Sequence, residues 1–146
     1  MLLVSILFGE DVEARKRAAD VARRITEQSP EILWEFADEF AGLLASLDVE
    51  EQRTRWHLRL TVARVAHTPE QRMRAGRLME LLVEDKGNVV RCSAIEGIAV
   101  LGSVEASLRE VAIELLMRAL ATGTKAERSR ARHGMKWLQK RHGGPQ

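Results

Sequence analysis

Four arginines, Arg15, Arg53, Arg91 and Arg128, lie 38, 38 and 37 residues apart, each near the start of a stretch with helical periodicity. A period of this length marks a chain built by stacking one supersecondary unit on the next, because a lone helix pair cannot bury its apolar face. Composition agrees: three prolines and no tyrosine, against abundant Ala, Leu, Glu and Arg, favour helix throughout. At 146 residues the chain is long enough for one continuous core.

The helix boundaries are legible. Ser29-Pro30-Glu31 and Thr68-Pro69-Glu70 place a hydroxyl before a proline at the first helical position, where the missing N–H costs nothing. Asp48-x-x-Glu51 and Thr124-x-x-Glu127 have capping-box spacing. Gly102, Gly123 and Gly143 follow apolar or basic helix ends, as left-handed capping residues do. These signals predict eight helices over 2–8, 11–26, 30–47, 50–66, 69–84, 87–102, 105–121 and 124–142. The short connections make neighbours antiparallel. Counted from each arginine, positions +3, +7 and +10 share one side of the helix and form the buried stripe. In the second unit that stripe is Trp56, Leu60 and Ala63; elsewhere Ala18, Ala94 and Ala131 at +3 admit a close neighbour.

The stretch Asn88-Val89-Val90-Arg91-Cys92-Ser93-Ala94, running on to Leu101-Gly102, resembles the second helix of the HEAT and armadillo-like repeat family. The resemblance covers residues 11–142, with more degenerate copies elsewhere. It implies an all-α, right-handed α-solenoid of about four helix pairs. These form a single domain over 1–142 with units 2–26, 30–66, 69–102 and 105–142, followed by a disordered tail, 143–146. It also implies that the four arginines form a structural ladder with polar turn residues, here Asp11, Asp48, Asp85 and Thr124. On that reading Arg15, Arg53, Arg91 and Arg128 hold the register of the stack and touch no ligand.

The net charge of +2 hides an uneven distribution: the second helix of each pair is rich in Lys and Arg, the first in Asp and Glu. The family resemblance places second helices on the concave face, which would then be basic. With the core at +3, +7 and +10, the open positions nominate Arg17, Arg23, Arg55, Leu58, Val62, Glu96, Arg130, His133, Lys136 and Trp137. The result is a groove with cationic ends and a small apolar middle at Leu58, Val62 and Val100. Such a surface suits a protein or peptide partner with acidic and apolar residues. A phosphate backbone is the alternative, as in the HEAT-like alkylpurine DNA glycosylases, whose concave face is basic. Their catalytic acid and aromatic pocket do not map onto this sequence, Glu96 being the nearest concave acid. HEAT-like bilin lyases are a third possibility, without a residue-level match.

Nothing in the sequence nominates a reaction. Cys92 has no histidine placed beside it, and His57, His67, His133 and His142 are scattered, His57 falling where a satisfied, partly buried imidazole is expected. No Gly-rich phosphate loop, metal-ligand spacing or cofactor motif is present. The expectation is a non-enzyme with no cofactor and no metal. One cysteine excludes an intramolecular disulfide and suits the reducing cytoplasm. Leu2–Phe8 lacks a basic leader or cleavage pattern and reads as a short helix covering one end of the stack, and no stretch has membrane-span length. Trp34 and Trp56 are expected in the core, Trp137 at the edge of the open face.

Overall fold

Asp11 opens the first long helix: its carboxylate accepts the Glu13 and Ala14 N–H groups at 3.0 and 3.1 Å, satisfying donors that a helix start leaves unpaired. In the computed structural model, which describes residues 1–142, the helices are α1 (Leu2–Leu7), α2 (Val12–Gln28), α3 (Ala37–Ser46), α4 (Gln52–Val65), α5 (Pro69–Leu82), α6 (Asn88–Val104), α7 (Arg109–Thr122) and α8 (Lys125–His142). Short 3₁₀ segments, Pro30–Phe36 and Ala106–Leu108, lead into α3 and α7. The fold is all-α, with eight α-helices and no strand among the described residues. The expected tail 143–146 and the expected cap Gly143 lie outside the described residues.

Two caps form as the sequence reads. Thr68 Oγ1 accepts the Gln71 N–H at 3.1 Å. Thr124 and Glu127 exchange N–H bonds with each other's side chains, both at 3.2 Å, closing a full capping box. Other expectations fail for local reasons. Asp48 caps nothing; its carbonyl accepts the Glu51 N–H in a turn, and α4 begins two residues later than expected, at Gln52. No described glycine has a positive φ. Gly102 lies inside α6, where an added Cβ would come 2.7 Å from the Ala112 Cβ, so it marks close contact with α7 rather than a helix end.

Helices α2, α4, α6 and α8 pack successively, each against the next, while α3, α5 and α7 pack beside them and α1 rests on α2. Between them lies a continuous apolar cluster that includes Leu7, Leu33, Phe40, Met79, Ile95, Ile98, Leu101, Leu116 and Leu138, all essentially inaccessible to water. Burying each such side chain contributes on the order of 1.5–3 kcal/mol. Ala18, Ala22, Ala94 and Ala131 supply the thin surfaces through which the even-numbered helices meet. Gly134 does the same for α8, where a Cβ would stand 3.0 Å from that of Ala99 on α6.

The fourth residue of every even-numbered helix is an arginine: Arg15, Arg55, Arg91 and Arg128. Each reaches back to a carbonyl of the preceding turn: Arg15 to Gly9 at 2.6 Å, Arg55 to Val49 at 3.4 Å, Arg91 to Asp85 at 2.9 Å and Arg128 to Gly123 at 2.8 Å. Three of them also reach forward into the next unit, Arg15 to Glu51 at 2.6 Å, Arg55 to Asp85 at 3.0 Å and Arg91 to Glu127 at 3.3 Å. The expected second rung, Arg53, is exposed; Arg55 takes its place because α4 starts late. The carboxylates are Glu51, Asp85 and Glu127, while Asp11 and Thr124 serve as caps. Burial works against ionised Asp85, but the Gly87 N–H and the Arg55 guanidinium outweigh it and hold its pKa below the usual carboxylate value.

The same two-residue slip corrects the core of the second unit. Leu58, Val62 and Val65 occupy +3, +7 and +10 from Arg55 and are 0%, 2% and 0% exposed. They build the core instead of an open groove. Replacing Arg55 by Ala strands the nearly buried Asp85 carboxylate, so the change should cost about 3 kcal/mol in urea denaturation. Replacing Arg53 by Ala should stay within about 0.5 kcal/mol. The opposite ranking would return the rung to Arg53.

Candidate binding face on the even-numbered helices

With Arg55 as reference, the side of α4 opposite Leu58, Val62 and Val65 carries half-buried Trp56 and Arg64 and buried His57, Leu60 and Ala63, with His67 just beyond its end. These residues align with Glu96, Ala99, Val100 and Ser103 on α6 and with Arg130, His133 and Trp137 on α8. Two adjacent depressions follow this side. One, of about 580 Å³, lies by the helix starts and is lined in part by Lys16, Gln52, Arg53, Trp56 and Ser93. The other, of about 550 Å³, lies farther along the helices, with Leu60, Ala63, Ala99 and Val100 among its lining and Trp34 and Trp137 at its edges. Glu96 and Arg130 border both, and their ion pair between α6 and α8 forms a ridge separating them.

The nominated residues divide accordingly. Glu96, Arg130, His133 and Trp137 line this face. Arg17 and Lys136 are exposed but line neither depression. Leu58 and Val62 are core, and Arg55 is a buried rung, so these three leave the candidate site; the late start of α4 is the physical reason. Arg23 sits in a lateral network, bonded to Glu27 at 2.7 Å, Asp20 at 3.0 Å and His57 Nδ1 at 3.0 Å, with its guanidinium 5.8 Å above the Trp56 ring. Trp34, Trp56, Leu60, Arg64 and His67 also line the two depressions, although none is among the residues that the sequence nominates. Trp34, expected in the core, is 42% exposed and stacks on His67 with ring centroids 4.9 Å apart. Trp56, likewise expected in the core, is half-buried at the rim of the first depression. Counting back from Arg91 by the 37 residues that separate it from Arg128 lands on Thr54, midway between Arg53 and Arg55. The period alone therefore does not choose between the two arginines, and the 3₁₀ segment that presents Trp34 carries no such ruler.

Electrostatics sort the cations of this region. Arg24 and Asp20 pair at 3.0 Å, Lys16 and Glu13 at 3.1 Å. Arg59, fully buried between α4 and α6, donates to the Val90 carbonyl at 2.8 Å and to Ser93 Oγ. Burial and neighbouring Arg55, offset only in part by Asp85, push its pKa down to about 9. It fastens α4 to α6 but leaves Nε and Nη2 without partners. Arg64 is also desolvated, which lowers its pKa despite Glu27 and Glu96 nearby. Burial raises the Cys92 thiol and Glu127 adds to the rise, so the thiolate that nucleophilic chemistry requires is disfavoured. Among the described residues no cluster of three or more His, Cys, Asp or Glu is placed to hold a metal, and no helix is long and apolar enough to cross a membrane.

No protein-family model matches this chain, and no curated protein matches it. Among solved structures it is similar to the crystal structure of an engineered protein, with a TM-score of 0.70 at 19% identity. The likeness covers 96% of this chain and 62% of that one. At that identity it shows the fold alone.

His57 supplies a pH test of the network. Burial lowers its pKa from 6.5; Asp20 pulls upward, while Arg23, Arg53 and Arg24 add to the lowering. Its folded pKa therefore lies below the unfolded value, and the unfolded chain takes up the proton first as pH falls through about 6.5. The stability contributed by neutral His57 is present above that pH and declines below it, until the folded pKa is reached. Urea midpoints measured from about pH 7.5 to 5.5 should fall more steeply for the native chain than for His57→Gln, whose amide oxygen can still accept from Arg23. Parallel curves would mean that His57 does not titrate in this window.

Proposed function

We propose that the chain is a right-handed α-solenoid of four HEAT-like helix pairs acting as a non-enzymatic interaction module in the cytoplasm. On this reading the face made by α2, α4, α6 and α8 binds a protein or peptide segment with acidic and apolar residues. Support for the solenoid comes from the arginine that recurs at the fourth position of each even-numbered helix and from the successive packing of those helices. The observation that carries the binding reading is the second depression. Its floor is apolar, tryptophans stand at two edges, and Arg64, Arg72 and Arg130 surround it. Aromatic walls over an apolar floor are the usual anchor sites for a partner's side chains.

The arrangement favours a polypeptide over a polyphosphate. Lys16, Arg23, Arg24 and Arg130 are already paired with carboxylates, which removes much of the positive field that a phosphate backbone needs. Glu96, the nearest concave acid, is itself held by Arg130.

Peptides selected from a random display library against the whole chain should quench or shift tryptophan fluorescence on titration, and their amide shift changes should map to the even-numbered helices. Duplex DNA at low salt should give no response. DNA binding with a log–log salt slope of several units, and no peptide response, would replace this reading by the nucleic-acid one.

A further inference from the structure

The carboxylates lining the second depression are committed elsewhere: Glu27 holds Arg23 at 2.7 Å, and Glu96 holds Arg130. Arg72, on the same wall, reaches Glu105 at 3.5 Å. Arg64 is the exception. No carboxylate stands within ion-pairing distance of it among the described residues, and only its Nη1 is engaged, through long 3.4 Å contacts to the Arg23 carbonyl and to Thr26 Oγ1. A half-buried guanidinium bonded weakly to two neutral oxygens is only partly compensated by Glu27 and Glu96 at a distance, and its lowered pKa has desolvation as its first cause.

We propose that Arg64 is the specificity-determining cation of this face and that it receives a carboxylate from an acidic side chain of a bound peptide. A large apolar or aromatic residue of the same peptide, close to the acid in sequence, lies on the floor of Leu60, Ala63 and Val100. This inference rests on the peptide-binding reading above and names what that peptide must carry. With Nη1 held by α2, the Nε–Nη2 edge remains, and that edge is a two-donor fork matching the two oxygens of a carboxylate. A lysine at this place would offer a point charge without the fork. The apolar requirement comes from the same pocket: Trp34 and Val104 at its edges are 42% and 50% exposed, so apolar surface faces water in the free chain. A peptide fits better than a compact organic acid, because the first depression lies directly across the Glu96–Arg130 ridge, within reach of an extended segment and not of a compact acid.

The test uses display-selected peptides, made synthetically, with the intact chain. Selected sequences should share an Asp or Glu within a few positions of a large apolar residue. Changing that acid to its amide should weaken binding about tenfold or more, the scale of a charge-assisted hydrogen bond. Arg64→Gln should lose the same factor for the acidic peptide, and the amide peptide should then lose nothing further. Arg64→Lys should fall between. If Arg64→Gln does not fold, the acid-to-amide change measured on the native chain decides alone. Peptides that bind the even-numbered helices with no acid enrichment, or with affinity unchanged by both substitutions, overturn the role of Arg64 and leave the peptide-binding reading standing. Failure of any peptide to bind removes both.

Discussion

The contact on which the rest of the structure depends is a guanidinium at the fourth residue of a helix, spanning the turn behind it and the helix start in front of it. Each of Arg15, Arg55 and Arg91 satisfies a carbonyl that its own turn leaves open and neutralises a carboxylate of the following unit. One side chain therefore fixes both the entry angle of its helix and the distance to the next helix. Burial makes this costly to break: Arg55 and Asp85 have only 8% and 10% of their side chains in contact with water. A charge so placed contributes little through attraction alone and a great deal through what happens when its partner is removed. Arg128, at the end of the series, keeps the backward bond to Gly123, and it is exposed.

Much of this was legible in the sequence, and the part that was not traces to one turn. The caps at Thr68 and Thr124 form where expected, and the helix starts fall within about two residues of their expected places once the 3₁₀ lead-ins of α3 and α7 are counted with their helices. Hydroxyl caps act locally, which is why these two read so directly, whereas Ser29 makes no side-chain cap bond and Pro30 opens a 3₁₀ segment. Asp48 and Glu51 also have capping spacing, yet the chain uses them in a turn, and α4 begins at Gln52. Two arginines two residues apart, Arg53 and Arg55, make either register compatible with the sequence. On a helix, two residues are about 200° of rotation, so the displacement takes Leu58 and Val62 into the core, while Leu60 and Ala63 of the expected stripe are buried as well. Leu58 and Val62 turn inward while Trp56 and Arg64 turn to the face. Glycines mislead for a related reason. At Gly102 the sequence signal is the absence of a side chain, and a helix end and a close helix crossing both require that absence.

Arg59 illustrates a conflict that periodicity cannot announce. Its position on α4 points into the interface with α6, where an aliphatic residue would pack more cheaply, and it is held there by the Val90 carbonyl and Ser93. At the equivalent position, four residues after the rung arginine, α2 carries Ala19 and α6 carries Ile95, both buried and apolar, while Arg132 on α8 is exposed. The second unit is thus the atypical one: it carries the late helix start, the buried arginine, Trp56 and Arg64. A stack of nearly equivalent units has little reason to vary one member for stability, since a variant interface must still match two neighbours. Departures concentrated in a single unit are where demands other than stacking are expected to act.

Besides exposed cations such as Arg17, Arg53 and Lys136 and the buried fastener Arg59, the charges of the even-numbered helices include three kinds with different consequences. The rungs join one unit to the next and are withdrawn from solvent. Pairs such as Lys16–Glu13 and Arg24–Asp20 lie on exposed surface, contribute at most about 1 kcal/mol each, and chiefly cancel the field of an otherwise cationic face. Arg64 belongs to neither group: it is half-buried with no ion-pair partner among the described residues, and it stands beside a depression lined by Leu60, Ala63 and Val100. On the peptide-binding reading proposed above, cancelling the surrounding charges would make that one cation more selective, because a partner would gain little from merely being acidic and most by placing a carboxylate at one point. The same quieting that weakens attraction for a polyanion would, on that reading, sharpen discrimination among peptides, so the distribution of charge on this face constrains a ligand more than the net charge of +2 does.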